Sequence, residues 1–281
     1  MAVELKHHPE VNPLLPTPAR IIKIIEETGD VKNFYVATEA GARPFDVKPG
    51  QLAMVSIPAV GEGMFSCTWQ ADHHLEFAIR RVGLLTDALH ELEVGQQIGV
   101  RGPYGNGFPT EACQGKDMLF IGGGIGLAPV RSFINYCFQH REDYGKIQIL
   151  YGARSKQDLC FKEELLGTWQ QQPNTEVYVT IDREEPGWDG KVAFVPTYLR
   201  EINPNPEGKI AVTCGPPIMI KLVLKALEEM GYQDQQVITT LEMRMKCGIG
   251  KCGRCNIASN YICLDGPVFY LDELKRLPEE Y

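Results

Sequence analysis

Residues 119–129 read LFIGGGIGLAP, and this stretch decides how the second half of the chain is expected to fold. An apolar run typical of a buried strand leads directly into a group of glycines, and a helical pattern starts at Pro129. Glycines at such a turn let backbone N–H groups and a helix N-terminus approach a pyrophosphate without obstruction by side chains. The spacing departs from G-x-G-x-x-G, and similar turns also occur for close packing alone, so the residues leave a nucleotide site and a packing turn both open.

Apolar strands alternate with helical patterns on the C-terminal side of this loop. Strands are predicted over 117–121, 147–151, 176–181 and 209–214, and helices over 129–139, 159–171 and 217–230. This alternation is typical of a parallel sheet covered by helices. The rhythm is lost from about Thr239 onward.

The first 110 or so residues have a different pattern, with short β-rich runs separated by turn signals such as ETGD and VKPGQ. Strands are predicted over 21–28, 33–38, 51–57, 74–82 and 96–101, with one helix over 84–92. Such punctuation is typical of an antiparallel sheet or barrel. A stretch rich in Gly and Pro then marks a boundary near residue 112. The chain is therefore expected to form three units, residues 1–112, 113–238 and 239–281.

Four of the nine cysteines fall within 17 residues, in the order Cys247-x4-Cys252-x2-Cys255-x7-Cys263. A C-x4-C-x2-C run followed by a distal cysteine is the plant-type spacing for a [2Fe–2S] cluster. The intervening glycines suit a backbone that curls round a cluster. A structural four-cysteine zinc site is the alternative, but its usual signature is two separate cysteine knuckles, and this segment has a single C-x2-C. The spacing therefore favours the iron–sulfur interpretation over zinc.

The charge around these cysteines is one-sided, since four basic residues and no acidic one lie between Met243 and Leu264. Positive charge there would offset an anionic thiolate cluster and raise its reduction potential. A basic patch that faces solvent or a partner is the second interpretation, and the two are compatible. The basic residues are Arg244, Lys246, Lys251 and Arg254.

The composition of this 281-residue chain excludes several functional classes. With 28 basic against 36 acidic residues the net charge is −8, so binding to nucleic acid is not expected. No apolar run approaches the ~20 residues of a membrane span, and the start MAVELKHHPE lacks the apolar core of a signal peptide. Nine cysteines are too few for a disulfide scaffold. A soluble, cytoplasmic protein without a membrane span is expected.

Five motifs occur in an order that resembles the ferredoxin-NADP reductase superfamily. They are FS at 65–66, RRVGLLT at 80–86, GPYGNGF at 102–108, GGGIGLAPVRS at 122–132 and CGPP at 214–217. With the cysteine tail, the chain resembles the branch that contains dihydroorotate dehydrogenase electron-transfer subunits, anaerobic sulfite reductase flavin subunits and hydrogenase gamma subunits. The resemblance covers nearly the whole chain from about Pro18 onward.

This resemblance implies a β + α/β fold with an N-terminal antiparallel flavin-binding β-barrel, a parallel α/β domain for NAD(P)H and a small C-terminal [2Fe–2S] lobe. The residues implied for FAD are Phe65, Ser66, Cys67, Arg80, Val82, Gly83 and Thr86. Those implied for the pyridine nucleotide are Gly122, Gly123, Gly124, Gly126, Pro129, Asp182, Gly215 and Pro216. Cys214, where family members hold a cysteine near the nicotinamide, is the candidate catalytic residue, with a buried small hydrophobe as the alternative.

The chain departs from the superfamily pattern in two places. The usual Arg-x-Tyr-Ser motif is replaced by GMFS at 63–66, so Arg80 or Arg81 would have to supply the missing charge, and FAD instead of FMN is inferred from the branch alone. Phe65 as a packed core aromatic remains the alternative. The chain also continues past the position where ferredoxin-NADP reductases end in an aromatic that covers the flavin, and Tyr281 is expected to be an exposed tail.

The choice between NADH and NADPH depends on the residues TIDR at 180–183, where the family meets the adenosine ribose. A carboxylate at Asp182 suits a free 2′-hydroxyl and repels a 2′-phosphate. Arg183, Arg154 or Lys156 would have the opposite effect. The pattern favours NADH.

These features together predict an electron-transfer flavoprotein subunit that takes hydride from NAD(P)H onto FAD and passes the electrons singly through a [2Fe–2S] cluster. The reverse direction, in which a reduced cluster supplies the electrons that reduce NAD⁺, is left open. A partner redox subunit is expected, of the hydrogenase, dihydroorotate dehydrogenase, sulfite reductase or heterodisulfide reductase type. Two alternatives remain. One is a standalone NADH-dependent flavin reductase with a soluble acceptor, and the other is a non-catalytic assembly module whose four cysteines bind zinc.

Overall fold

The computed structural model describes residues 12–278, so Tyr281 lies outside the described residues. The N-terminal part forms an antiparallel seven-stranded β-barrel sheet in the order β4-β3-β7-β1-β2-β6-β5. Its elements are β1 (Thr17–Glu26), β2 (Val31–Ala37), β3 (Leu52–Ile57), β4 (Gly61–Ser66), β5 (Trp69–Gln70), β6 (Leu75–Arg80), α1 (Leu84–His90) and β7 (Gln97–Tyr104). Alternating apolar residues such as Ile21, Phe34 and Val100 fill its interior, so the predicted antiparallel barrel is confirmed.

A second seven-stranded sheet follows. Its elements up to residue 240 are β8 (Asp117–Gly123), α2 (Leu127–Gln139), β9 (Ile147–Ala153), β10 (Thr175–Ile181), β11 (Lys191–Val192), α3 (Val195–Ile202), β12 (Lys209–Cys214), α4 (Pro217–Glu229) and β13 (Val237–Thr240). All of these strands run parallel, and β8 and β12 are buried almost throughout because helices cover both faces of the sheet. The predicted parallel α/β arrangement is confirmed.

The C-terminal segment is mostly irregular. Its elements are β14 (Asn256–Ile257), β15 (Asn260–Tyr261), α5 (Ile262–Asp265), β16 (Val268–Tyr270) and α6 (Leu271–Leu274). Strand β16 pairs antiparallel with β13, which completes the second sheet in the order β11-β10-β9-β8-β12-β13-β16. Helices α2 and α4 have 13 residues each, and in residues 12–278 no helix is long and apolar enough to cross a bilayer.

The structure differs from the sequence-based prediction over residues 159–171, where a continuous helix was expected. Helix begins only at Lys162, and it continues as a π-helix over Glu164–Thr168. Phe161 has a φ of 54°, and its N–H donates to Glu27 Oε2 at 2.6 Å. This contact holds the backbone at Phe161 in a turn that a helix could not contain, so the helix is shorter than predicted and irregular.

A buried ion network joins the barrel to the α/β unit. Arg131 of α2 lies between Glu76 of β6, at 2.9 Å, and Glu164, at 2.6 Å. The Arg131 and Glu76 side chains are 6% and 4% exposed, so the pair is shielded from water. Asn33 donates a further hydrogen bond to Glu76. The network fixes the orientation of the two sheets on either side of the clefts described next.

Candidate functional site

A cleft of about 650 Å³ opens at the carboxyl ends of the parallel strands. Ligands of open α/β sheets bind at this edge, where strand ends and helix N-termini meet. Six of the residues predicted for the pyridine nucleotide line it, namely Gly123, Gly124, Gly126, Asp182, Gly215 and Pro216. The other two do not line it: Gly122 is buried within β8, and Pro129 faces a second cavity.

The two glycine turns of this cleft pack directly on each other. A Cβ added at Gly126 would lie 2.5 Å from Gly215 Cα, which is closer than real Cβ atoms approach backbone. Gly124 has a φ of 54°, a conformation that costs a larger residue strain. Glycine is therefore required for the packing of the two turns, and the lack of side chains there also leaves the cleft open.

Arg80 reaches this cleft from the barrel. Its Nη2 lies 3.7 Å from the Cβ position of Gly124. Its Nε lies 3.3 Å from Asp30 Oδ2, yet that buried Nε has no hydrogen-bond partner among the described residues. The guanidinium therefore retains donors for an anionic ligand, as expected of a residue that offsets a phosphate charge.

A second cavity of about 250 Å³ lies between the barrel and the α/β unit. On the barrel side it is lined by Phe65 and Ser66, the two residues predicted to lie against the flavin. Pro129 and Thr240 line the opposite side. Phe65 also packs against the barrel core, so it both belongs to that core and faces the cavity.

Cys67 lies away from this cavity. Its thiol is buried and donates a hydrogen bond to the Trp69 carbonyl at 3.2 Å, and burial raises its pKa to about 12. It borders a different cleft, between the barrel and α2. In this arrangement Cys67 is a neutral thiol without contact to the cavity.

Val82, Gly83 and Thr86 lie together in the turn that begins α1. Thr86 Oγ1 accepts hydrogen bonds from the Val82 and Gly83 amides at 2.8 and 2.9 Å. The turn is exposed at Val82 and lies outside both cavities. Thr86 therefore shapes this turn, and the exposed backbone beside Arg80 is the part that is accessible to a ligand.

Cys214 lies at the end of β12, behind the cleft that Gly215 and Pro216 line. Its thiol is 1% exposed and accepts a hydrogen bond from Thr240 Oγ1 at 3.0 Å. Burial raises its pKa to about 12, so the thiol is neutral at ordinary pH. Cys214 does not line the smaller cavity. It is connected to that cavity by Thr240, which lines it and donates a hydrogen bond to the thiol.

Glu242 is a site residue that the sequence analysis missed. It lines both the nucleotide cleft and the smaller cavity, which places a carboxylate where the two meet. Met243 and Met245 of the same run line the smaller cavity. The sequence signal that could have found these residues is their position just before the cysteine motif, because the segment that leads into this motif passes the neighbouring cavities.

The cysteine segment turns its backbone amides toward sulfur. The amides of Ile249 and Lys251 donate to Cys247 Sγ at 3.4 and 3.3 Å, and the Gly250 amide donates to Cys263 Sγ at 3.2 Å. Gly248, Gly250 and Gly253 have φ values of 79°, 69° and 67°, in the region that favours glycine. Burial opposes ionisation of Cys247, but the amide hydrogen bonds outweigh it and lower the pKa to about 7.

The four cysteines form two pairs. Cys252 lies close enough to Cys247 to help lower its pKa, and Cys255 lies close enough to Cys263 to help raise its pKa. Burial raises the pKa of Cys263 to about 12. Within residues 12–278, no three His, Cys, Asp or Glu side chains converge as the ligands of one metal ion. Four clustered cysteines with backbone amides directed at their sulfurs suit an iron–sulfur cluster, whose sulfur charge such hydrogen bonds stabilise.

Two segments of the chain match known protein families. Residues 120–225 match the family described as oxidoreductase NAD-binding domain. Residues 242–275 match the iron-sulfur cluster binding domain of dihydroorotate dehydrogenase B. The first match contains the glycine loop, and the second contains all four paired cysteines.

Whole-chain relatives include two named subunits. The chain is 38% identical over 275 residues to sulfhydrogenase 1 subunit gamma of Pyrococcus furiosus, covering 94% of each protein. It is 35% identical over 270 residues to a probable dihydroorotate dehydrogenase B (NAD(+)), electron transfer subunit, of Methanocaldococcus jannaschii, covering 94% of this chain and 93% of the relative. A solved structure of an NADH-dependent reduced ferredoxin-NADP oxidoreductase superposes with a TM-score of 0.73 at 23% identity, over 93% of each chain, and shares the fold.

Proposed function

Because this chain belongs to the family of hydrogenase gamma subunits and dihydroorotate dehydrogenase electron-transfer subunits, we propose that it carries electrons from NADH through FAD and a [2Fe–2S] cluster to a partner subunit. The resemblance predicted from the five motifs is confirmed. The chain is an NAD(P)H-dependent oxidoreductase that transfers electrons between NAD(P)H, a flavin and an iron–sulfur cluster. We assign FAD to residues 1–112, the pyridine nucleotide to 113–238 and the cluster to 239–281.

The observation that carries this proposal is the continuity of the three sites. Glu242 lines the nucleotide cleft and the flavin cavity, Met245 lines the flavin cavity, and Cys247 follows two residues later. When bound, a flavin accepts two electrons together from NADH and releases them one at a time to a one-electron centre. The protein's part is to hold the groups in this order and to keep water out of the cavity between them.

The residues around Asp182 support NADH as the preferred nucleotide. Arg154 pairs with Asp158 at 3.2 Å, and Lys156 donates to the Gly187 carbonyl at 2.8 Å. Two of the three cations that would attract a 2′-phosphate therefore already have partners. The half-buried Asp182 carboxylate lines the cleft and is placed to accept a hydrogen bond from a ribose hydroxyl.

The pairing of the thiols supports a [2Fe–2S] cluster over zinc. Cys247 with Cys252 would hold one iron, and Cys255 with Cys263 the other, while the amides of Ile249, Gly250 and Lys251 stabilise the sulfur charge. Cys214 is proposed to support the flavin cavity through Thr240, which donates a hydrogen bond to its thiol and lines that cavity.

A partner subunit is proposed to dock at the cysteine segment. Cys252 is exposed, and so are the neighbouring Lys251 and Arg254, although the chain as a whole has a net charge of −8. A local basic face on an acidic protein favours a partner with an acidic surface around its own redox centre. A hydrogenase or dihydroorotate dehydrogenase catalytic subunit is the first candidate, since the relatives are subunits of these enzymes.

An anaerobic visible spectrum before and after NADH, with iron and zinc counted on the same sample, tests the proposal. Flavin and iron–sulfur absorbance that bleaches with NADH, at about two irons per chain, is expected. A colourless protein that contains zinc would refute it. Robust turnover with a soluble acceptor and no stable partner on size exclusion would favour a standalone reductase.

A further inference from the structure

The end of β7 and the residues after it lie beneath the cysteine segment, and we call residues 101–106 the β7 platform. Arg101 is 4% exposed. Its Nη1 donates to the Cys247 carbonyl at 2.7 Å, and its Nη2 donates to the Lys246 carbonyl at 3.0 Å. One buried guanidinium therefore holds the backbone of the first cluster cysteine and of the residue before it.

The same platform also holds a cysteine of the second pair. The Gly105 amide donates to the Cys263 carbonyl at 3.0 Å, and the Asn106 amide donates to the Gly266 carbonyl at 2.6 Å. The Asn106 side chain donates to the Val268 carbonyl and accepts from the Val268 amide. The β7 platform thus holds the cysteine segment at both pairs, with Arg101 at Cys247 and with Gly105 and Asn106 of the GPYGNGF motif on the Cys263 side.

On its other side, Arg101 is attached to the strand that carries the flavin residues. Its Nη2 and Nε pair with the two carboxylate oxygens of Glu62 on β4, at 2.8 and 3.1 Å. Strand β4 ends with Phe65 and Ser66, which line the flavin cavity. The planar guanidinium of arginine can hydrogen-bond to the Glu62 carboxylate and to the two backbone carbonyls at the same time. A lysine ammonium cannot reproduce this geometry.

We propose that Arg101 is a positioning residue that fixes the Cys247 side of the cluster against the flavin strand and that its charge raises the reduction potential of the cluster. The proposal rests on the proposed function. Positive charge close to a cluster favours the reduced form, which carries one more negative charge. The fork of Arg101 also keeps the distance between flavin cavity and cluster constant, because Glu62 and Cys247 are held by the same rigid group.

The test compares Arg101→Gln and Arg101→Lys with the wild-type protein, using hydrogen exchange of residues 246–251 and an EPR-monitored redox titration. Arg101→Gln is expected to speed exchange of this segment roughly tenfold and to lower the potential of the cluster. In Arg101→Lys the reduction potential of the cluster should stay close to the wild-type value, while the amides of residues 246–251 should exchange as fast as in the glutamine variant. Flavin bleaching by NADH should stay within about twofold in both, because the nucleotide cleft is untouched.

The matched control is Arg20→Gln, which removes an arginine of the same barrel that pairs with Glu39 on the surface. It should change neither readout. Wild-type exchange in Arg101→Gln would overturn the positioning role, and an unchanged potential would overturn the role of the charge. If Arg101→Gln does not fold, Glu62→Gln tests the same link, and unchanged exchange of 246–251 there would also overturn the proposal.

The two proposals fail separately. Wild-type protein without iron would refute the proposed function, while the exchange of residues 246–251 would still report whether Arg101 holds the segment. Wild-type protein with iron, together with variants that behave as wild type, would refute the role of Arg101 alone.

Discussion

Two buried arginines join the barrel to the rest of the molecule, and they do so in different ways. Arg131 lies between two carboxylates, Glu76 and Glu164, and connects side chains of regular elements. Arg101 pairs with one carboxylate, Glu62, and also donates to the Tyr104 hydroxyl and to two backbone carbonyls of the cysteine segment. Helices and strands satisfy their own carbonyls, whereas a segment that curls round a cluster leaves them free. The Arg131 junction therefore holds two folded units together. The Arg101 junction supplies hydrogen bonds to carbonyls that a helix or strand would otherwise satisfy.

Breaking the cysteine segment itself should have the largest effect. Cys255→Ser is expected to reduce electron transfer to a partner protein about 100-fold or more, because one cluster ligand is lost. Reduction of a dye by NADH through the flavin should remain largely intact, since the nucleotide cleft and the flavin cavity lie outside the segment. Iron content and the two activities, measured on one preparation, check this.

The matched control is Cys137→Ala, a buried cysteine of α2 that lies outside the cysteine segment. It should leave the iron content unchanged. Equal loss of both activities in Cys255→Ser would show that the segment and the flavin site do not work separately.

Disrupting the Arg131 junction should lower the free energy of unfolding and leave the iron content unchanged. Arg131→Met removes the arginine that pairs with the buried Glu76 carboxylate, and removing one partner of such a pair costs about 3 to 5 kcal/mol. The free energy of unfolding in urea measures this. Arg200→Met is the control, because the Arg200–Glu229 pair is exposed on both sides and should contribute less than about 1 kcal/mol. A similar small loss in both variants would contradict a structural role for the buried network.

The comparison also shows which features a sequence can reveal. The strand–helix alternation and the turn signals are local patterns, and they predicted the two sheets. The glycine loop and the cysteine spacing are local as well, and they pointed to the NAD-binding and iron–sulfur segments. Arg101 and Cys247 are 146 residues apart, and no local pattern connects them. Glu242 was missed for a related reason, since its role depends on two cavities that exist only once both sheets have folded.

The helix predicted over 159–171 is shorter in the structure, and a contact from the barrel limits its N-terminal end. Its local sequence favours a helix, but Glu27 of the barrel accepts the Phe161 amide, and Glu164 is engaged by Arg131. Junctions between units are thus where local propensity gives the wrong answer. They are also where the two buried arginines lie.

Within the α/β unit, the contact between the two glycine turns offers a finer test. Gly126→Ala places a methyl group against the Gly215 backbone, so both turns have to move. We expect the KM for NADH to rise about tenfold or more, because a shift of about 1 Å in a binding loop is costly. The iron content should not change, since the cysteine segment is held from the barrel side. Gly167→Ala, at a glycine with open space around it, is the control, and an equal KM in both variants would argue against the cleft as the nucleotide site.

The smallest expected effect concerns the choice of nucleotide. Asp182→Asn should raise the KM for NADH several-fold, up to about tenfold, because the ribose loses a charged acceptor. Binding of NADPH should improve, because repulsion of its 2′-phosphate is removed.

The same carboxylate predicts a pH dependence. Burial raises the pKa of Asp182, so protonation begins at a higher pH than for a free aspartate. The KM of the wild-type protein for NADH should therefore rise as the pH falls toward that raised pKa, and the asparagine variant should lack this dependence. Asp189→Asn, in a loop outside the cleft lining, should retain the wild-type pH profile and preference. A pH dependence that survives in Asp182→Asn would assign the titrating group to another residue of the cleft, with Glu242 the first to examine.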